Sequence, residues 1–244
     1  TAHPTEARRR SVTSKIQEMA RLLDGYDKLN SPHKQKSIIT SLRAEVAALW
    51  LTDRHRTARL AVTDEVRTGL YFVESVFWDT LPVLHNDLIE ALATHYPQIA
   101  PPSNWLGLAS WMGGDRDGNP NVNAGVLENA LGAQSRLACG HYLTEVRMLG
   151  NELSLAARLS AMPKELLELA AASGDTSPHR SDEPYRQAMY GIHARLAATA
   201  ARLAQPPSAQ VMEATANPYA TPGDFASDLD LVARYLERLQ LRPH

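Results

Sequence analysis

Two short segments hold most of the residues that could do chemistry. The first opens the chain: Thr1-Ala2-His3-Pro4-Thr5-Glu6-Ala7-Arg8-Arg9-Arg10-Ser11. Pro4 disfavours helix at His3, so the imidazole stands on extended chain just ahead of a helix, with Thr5 as the expected N-cap. Three arginines then crowd the first turns of that helix. Positive charge is unfavourable there, because the helix dipole already presents its positive end. A sequence that breaks a local rule often does so for function. An imidazole, a helix N-terminus and clustered guanidiniums together make a site for a phosphate or carboxylate. The plainer reading is a solvated basic helix start with a surface histidine.

The second segment is Trp111-Met112-Gly113-Gly114-Asp115-Arg116-Asp117-Gly118-Asn119-Pro120. This composition reads as a tight polar loop. Gly113 and Gly114 let backbone N–H groups approach an anion, and Arg116, between Asp115 and Asp117, can clamp one with two parallel hydrogen bonds. Asp115, Asp117 and Asn119 alternate like the start of a calcium loop. The sixth position, however, is Pro120 rather than Gly and the twelfth is Val126 rather than Glu, which excludes an EF-hand. The structural alternative is a hairpin-like turn in which both aspartates cap backbone groups. A third segment, Thr52-Asp53-Arg54-His55-Arg56-Thr57-Ala58-Arg59, follows a helical pattern. Cations there complement the helix dipole; a basic effector pocket is the sharper alternative.

The other histidines show no ligand spacing, so no metal site is expected from this chain's residues alone. The single cysteine, Cys139, leaves neither an internal disulfide nor a thiolate cluster, and a reducing, cytoplasmic setting is expected. No Gly-x-x-x-x-Gly-Lys phosphate loop and no Gly-x-Ser-x-Gly elbow is present.

The elements that must position these residues read as helices. A chain of 244 residues, 44% hydrophobic and 21% charged, has the length of one large or two small globular domains. Its 25 Lys and Arg against 27 Asp and Glu leave a net charge of -2, which gives no general steering field for nucleic acid. No apolar run reaches membrane-spanning length and no signal peptide is visible, so no membrane association is expected. The chain opens on Thr1 rather than Met, and is expected to begin after processing or as a piece of something longer. Apolar residues at helical spacing run from Ile38 to Trp50 behind a Ser31-Pro32 start. A second run goes from Val66 to Leu92, with Thr63 and Asp64 as caps and a kink or break expected at Pro82. Further helices are expected from Asn123 to about Leu153, over Pro163–Ala172, from Tyr185 to Leu203, and from Phe225 to Leu239. Loops are expected at 173–184 and 205–224. Leu106–Met112 and the extreme N-terminus read as short strands, the former buried. Two isolated strands cannot complete a sheet, so their partners are expected outside this chain.

Thr1-Ala2-His3-Pro4-Thr5-Glu6 with Arg9-Arg10-Ser11 resembles the catalytic-histidine signature of the phosphoenolpyruvate carboxylase family. Ser110 to Val122 resembles a second hallmark of that family. The order and separation of the two also fit, with Thr52-Asp53 between them, and a looser resemblance in the bacterial style extends over the whole chain. The resemblance implies a mostly α chain with a few short strands, part of an elaborated (β/α)8-type barrel whose remaining strands lie elsewhere. Residues 1–244 would form one N-terminal-half segment of that fold, at whose strand ends active residues collect. It implies carboxylation of phosphoenolpyruvate by bicarbonate to oxaloacetate and phosphate, by way of carboxyphosphate and the enolate of pyruvate. His3 would be the general base that takes the carboxyphosphate proton. Arg116 with Gly113, Gly114, Asp115 and Asp117 would bind substrate anions, and Arg9, Arg10 and Arg56 would belong to a sugar-phosphate effector site. Magnesium or manganese would be held by ligands outside this chain, and the full-length enzyme would be an allosteric homotetramer. A segment lacking those parts would be inactive alone. The competing reading is a non-catalytic helical interaction or regulatory domain.

Overall fold

The computed structural model describes residues 9–53, 61–100, 105–204 and 216–239. The expected N-terminal strand, His3 and Arg56 lie outside them. Eight α-helices follow one another among the described residues: α1 (Arg10–Asp27), α2 (Pro32–Trp50), α3 (Val62–Phe72), α4 (Trp78–His95), α5 (Ala124–Glu152), α6 (Lys164–Ala172), α7 (Pro184–Ala204) and α8 (Pro222–Arg238). The mostly α expectation is met. Internal packing divides the chain into two compact units, with the division between Ala130 and Leu131.

In the first unit α1 and α2 pack side by side, and Lys15 Nζ meets Glu45 Oε2 at 3.2 Å between them. Pro32 opens α2, where its missing N–H costs nothing. On α1 Val12 and Leu22 are buried. That helix begins at Arg10, with Arg9 in extended conformation at the cap position. Arg10 also reaches α3, its guanidinium lying 4.8 Å from the centroid of the Tyr71 ring. The Tyr71 hydroxyl donates to Gln17 Oε1.

The Val66–Leu92 run is helical from α3 through α4, but it does not break at Pro82, which sits inside α4. The irregularity lies upstream, in a π-helical turn over Val73–Phe77 that closes with the Trp78 N–H on the Val73 carbonyl. Pro82 has no N–H and crowds the carbonyl four residues back, that of Trp78. The widened turn ends just before Trp78, the residue whose carbonyl Pro82 leaves without its usual N–H partner. At the start of α3, Asp64 caps as expected, its carboxylate accepting the Ala61 N–H at 3.2 Å; Thr63 has no such bond among the described residues.

Leu106–Met112 corrects the expectation of a buried strand. Residues 105–111 have no regular structure, and Leu106, Leu108 and Trp111 are exposed at 45%, 51% and 73%. A strand needs a ladder, and no strand of any kind occurs among the described residues. The few short strands expected for this chain are therefore not found there.

The second unit closes over Val146 from α5, Leu166 and Ala170 from α6, Tyr185, Met189 and Ile192 from α7, and Val232 and Leu236 from α8. These fall at steps of three, four and seven, the buried stripe of an amphipathic helix. The loop at 173–184 holds only a short 3-10 turn, Pro178–Arg180, and ends as α7 begins at Pro184. Thr221 and Asp224 form a reciprocal cap on α8. That helix takes in residues 222–224, the end of the connection expected over 205–224. No helix among the described residues is long and apolar enough to cross a membrane.

Candidate functional site

The loop between Ser110 and Asn123 is built from two tight turns. In the first, the Gly114 and Asp115 N–H groups both donate to the Trp111 carbonyl, at 3.1 and 3.0 Å. Gly113 stands at φ +84°, the value that the third position of a type II turn requires. In the second, the Asn119 N–H donates to the Arg116 carbonyl at 2.5 Å. Asp117 and Gly118 between them have φ of +33° and +74°. Two successive positive φ values define a type I′ turn, for which Asp-Gly is a favoured pair. Asn119 Oδ1 then accepts the Asn121 backbone N–H at 3.0 Å and its side-chain amide at 3.1 Å. Asn123 caps α5, its Oδ1 accepting the Val126 N–H at 3.1 Å.

The first turn is seated between two helices. Gly113 is buried, and a Cβ added to it would lie 2.8 Å from Ala130 Cβ on α5 and 3.1 Å from Val66 Cγ2 on α3. The side chain of Met112 fills the notch at Gly69, where an added Cβ would lie 2.7 Å from its sulfur. Backbone bonds, positive-φ residues and this steric seat account for the shape of the loop.

Asp115, Arg116 and Asp117 are exposed, and none of their side chains has a hydrogen bond or ion pair among the described residues. Among the described residues neither aspartate caps a backbone group, as the structural alternative would have it; Asn119 and Asn123 do the capping. The three charges contribute nothing to the loop's own hydrogen bonding. Among the described residues they form a guanidinium fork and two carboxylates without partners. The local net charge is negative, so grip on an anion would come from the directional donors of Arg116 rather than from a general field.

The arginines of the first segment are placed differently. Arg9 Nη1 donates to the Asp53 carbonyl at 2.7 Å, which ties the start of α1 to the chain just beyond α2. The first and third candidate segments thus meet. Arg10 lies over Tyr71, as described, and α3 also supplies Val66 and Gly69 to the loop. One helix therefore bears on both candidate segments. The sequence reading missed Val66, Gly69, Tyr71 and Ala130. Only Gly69 carried a signal, since an isolated glycine within a helical pattern costs about 1 kcal/mol against alanine and so marks close packing. His85, with no ligand spacing, has a structural partner, its Nδ1 accepting the Trp105 indole N–H at 2.9 Å.

Comparison with known proteins places the chain as a whole in one family. The sequence model of one family, phosphoenolpyruvate carboxylase, matches residues 1–243. The chain is 45% identical over 239 residues to a phosphoenolpyruvate carboxylase of Azoarcus sp. (strain BH72), covering 97% of this chain and 26% of that protein. It is 45% identical over 238 residues to that of Rhodopseudomonas palustris (strain BisA53), with the same two coverages of 97% and 26%. To that of Paraburkholderia xenovorans (strain LB400) it is 41% identical over 239 residues, covering 95% of this chain and 24% of the relative. The chain thus spans about a quarter of the length of the curated relatives it matches. With the family's sequence pattern running from one end to the other, the chain belongs to the phosphoenolpyruvate carboxylase family.

Proposed function

We propose that this chain serves the carboxylation of phosphoenolpyruvate by bicarbonate, as one segment of a longer enzyme. The observation that carries the reading is the set of three charged side chains, Asp115, Arg116 and Asp117, held on a rigidly turned loop and engaged with nothing among the described residues. A bicarbonate oxygen attacks the phosphorus, the bond from phosphorus to the enol oxygen breaks, and carboxyphosphate and the enolate of pyruvate result. Carboxyphosphate then gives up its proton and releases carbon dioxide and phosphate. The enolate carbon takes the carbon dioxide to form oxaloacetate.

In this scheme His3 is the base for the carboxyphosphate proton. Imidazole suits that step because its ordinary pKa lies near neutrality. The Arg116 fork and the loop around it hold an anionic group of the substrate and keep water from the enolate. Arg9, Arg10 and Arg56 contribute to an effector site for a phosphorylated sugar. The longer enzyme is a cytoplasmic homotetramer that uses magnesium or manganese. No three His, Cys, Asp or Glu side chains gather as metal ligands among the described residues. The described residues thus offer no ligand set for that ion, which this reading assigns to the part of the enzyme outside this chain.

The test is Arg116→Lys in the longer enzyme. Lysine keeps the charge but loses the planar fork. The expected outcome is a raised KM for phosphoenolpyruvate or bicarbonate at an unchanged melting temperature, because Arg116 holds no partner in the loop. Wild-type kinetics would remove Arg116 from the site.

A further inference from the structure

We propose that Ala130, which with Val66 closes the space beside Gly113, is a positioning residue for this reaction: the combined size of the two side chains fixes where Arg116 stands. The inference rests on the reading of the loop as the substrate-binding element.

The seat is steric. Ala130 is 3% exposed and Val66 6% exposed. The site of an added Gly113 Cβ lies 2.8 Å from one and 3.1 Å from the other, closer than real Cβ atoms approach a neighbour without displacement. Neither side chain can yield by rotation. Alanine has no rotamer to change, and a β-branched valine in a helix is held to one strongly preferred χ1. The position of Gly113 is therefore set by α3 and α5 together. Arg116 follows only three residues later, and the intervening Gly114 and Asp115 N–H groups are both bonded to the Trp111 carbonyl. A displacement of Gly113 therefore passes to Arg116 with little slack. The Arg116 side chain has no partner among the described residues, so its placement follows the backbone, through Gly113 on one side and through the Asn119 N–H on the Arg116 carbonyl on the other.

The proposal predicts a size exchange. Ala130→Val adds two methyl groups beside Gly113, where Val66 already leaves no room, and so displaces the turn. Misplacing a binding group by about 1 Å can cost on the order of 100-fold in rate, so a loss in kcat/KM of about 10- to 100-fold is expected. Val66→Ala removes two methyl groups from the same small space. The double variant Val66→Ala/Ala130→Val should regain most of the loss, because volume-conserving exchanges are the ones cores tolerate best.

The experiment measures kcat and KM for phosphoenolpyruvate and for bicarbonate in the longer enzyme, at a temperature where near-ultraviolet circular dichroism shows each variant folded. A merely structural role would lower the melting temperature yet leave the kinetics of the folded enzyme unchanged. A raised KM in Ala130→Val, restored in the double variant, supports positioning. A folded Ala130→Val with wild-type kinetics overturns it, as does a folded double variant as impaired as the single. If Ala130→Val does not fold, the double variant decides: wild-type kinetics support the proposal, and impaired kinetics or failure to fold overturn it. Arg116→Ala separates this inference from the reading beneath it. Wild-type kinetics in Arg116→Ala would sink the loop as a substrate element. An impaired Arg116→Ala beside a normal Ala130→Val would sink only the positioning role of Ala130.

Discussion

Replacing Gly113 by alanine puts a methyl group where two others already stand. The backbone there has φ +84°, and an L-residue held in left-handed conformation loses about 1–2 kcal/mol. The new Cβ would also lie 2.8 Å from Ala130 Cβ and 3.1 Å from Val66 Cγ2. Overpacking of that kind costs about 1–3 kcal/mol. Alanine restricts the unfolded chain more than glycine and returns about 0.4–1 kcal/mol. The balance is a destabilisation of about 2–4 kcal/mol. For a chain of this size that is a fall in melting temperature of roughly 5–15 °C. Arg116→Ala, three residues on, should stay within about 0.5 kcal/mol of wild type, as an exposed side chain without partners does. Thermal unfolding of the 244-residue chain checks both. Hydrogen exchange should locate the effect, with the Gly114 and Asp115 amides losing protection in Gly113→Ala as their bonds to Trp111 are strained. Unchanged melting and unchanged protection in Gly113→Ala would refute the seat, and with it the claim that packing rather than charge shapes this loop.

His3→Asn in the longer enzyme should abolish most oxaloacetate formation while phosphoenolpyruvate binding is largely kept; wild-type turnover, read in an assay coupled to malate dehydrogenase, would end the assignment of His3 as the base. The 244-residue chain alone should show no carboxylase activity and only weak magnesium binding by calorimetry, and robust turnover from it would show the active site to be misplaced. Asp175 is held below its ordinary carboxylate range first by the Arg180 fork, at 2.6 and 2.9 Å, and then by the Ser177 N–H. Its folded pKa is thus depressed, so its contribution to stability is full above the unfolded value of about 3.9 and is lost as the pH falls through the lower folded value. Asp175→Asn should be less stable than wild type at pH 7 and should lose less further stability on acidification below about pH 4; parallel urea-unfolding curves against pH would contradict this.

The helices were legible because their signal is local. The run at Ile38, Leu42, Val46, Leu49 and Trp50 sits within α2, and the Ser31-Pro32 start falls where that helix begins. The misreadings share a different cause. Leu106–Met112 has the composition of a buried strand, yet burial and pairing are supplied by neighbours, and no strand partner stands beside it among the described residues. Composition showed what that segment suits, which is not what surrounds it. At Pro82 the break was one of two outcomes expected, and α4 runs through that residue, with the widened turn upstream at Val73–Phe77.

The loop divides along the same line. Asp117-Gly118 at a type I′ turn, Gly113 at positive φ and Asn123 as a cap are short-range chemistry, and residue types alone pointed to a tight polar loop there. Residue types could not say which members shape the loop and which are spare. Two aspartates and an arginine in a row fit capping and ion pairing as well as binding. Only the hydrogen bonds separate these, by giving the capping to Asn119 and Asn123 and leaving Asp115, Arg116 and Asp117 without partners among the described residues. The seat was further out of reach. Val66 lies 47 positions before Gly113 and Ala130 lies 17 after it, and each reads in the sequence as one more apolar residue on a helical face. Their meaning comes from a gap too small for a methyl group, which is a property of two helices and a turn together. A loop whose three charges find no partner among the described residues, and whose backbone is seated against two helices, has its shape set by packing rather than by those charges.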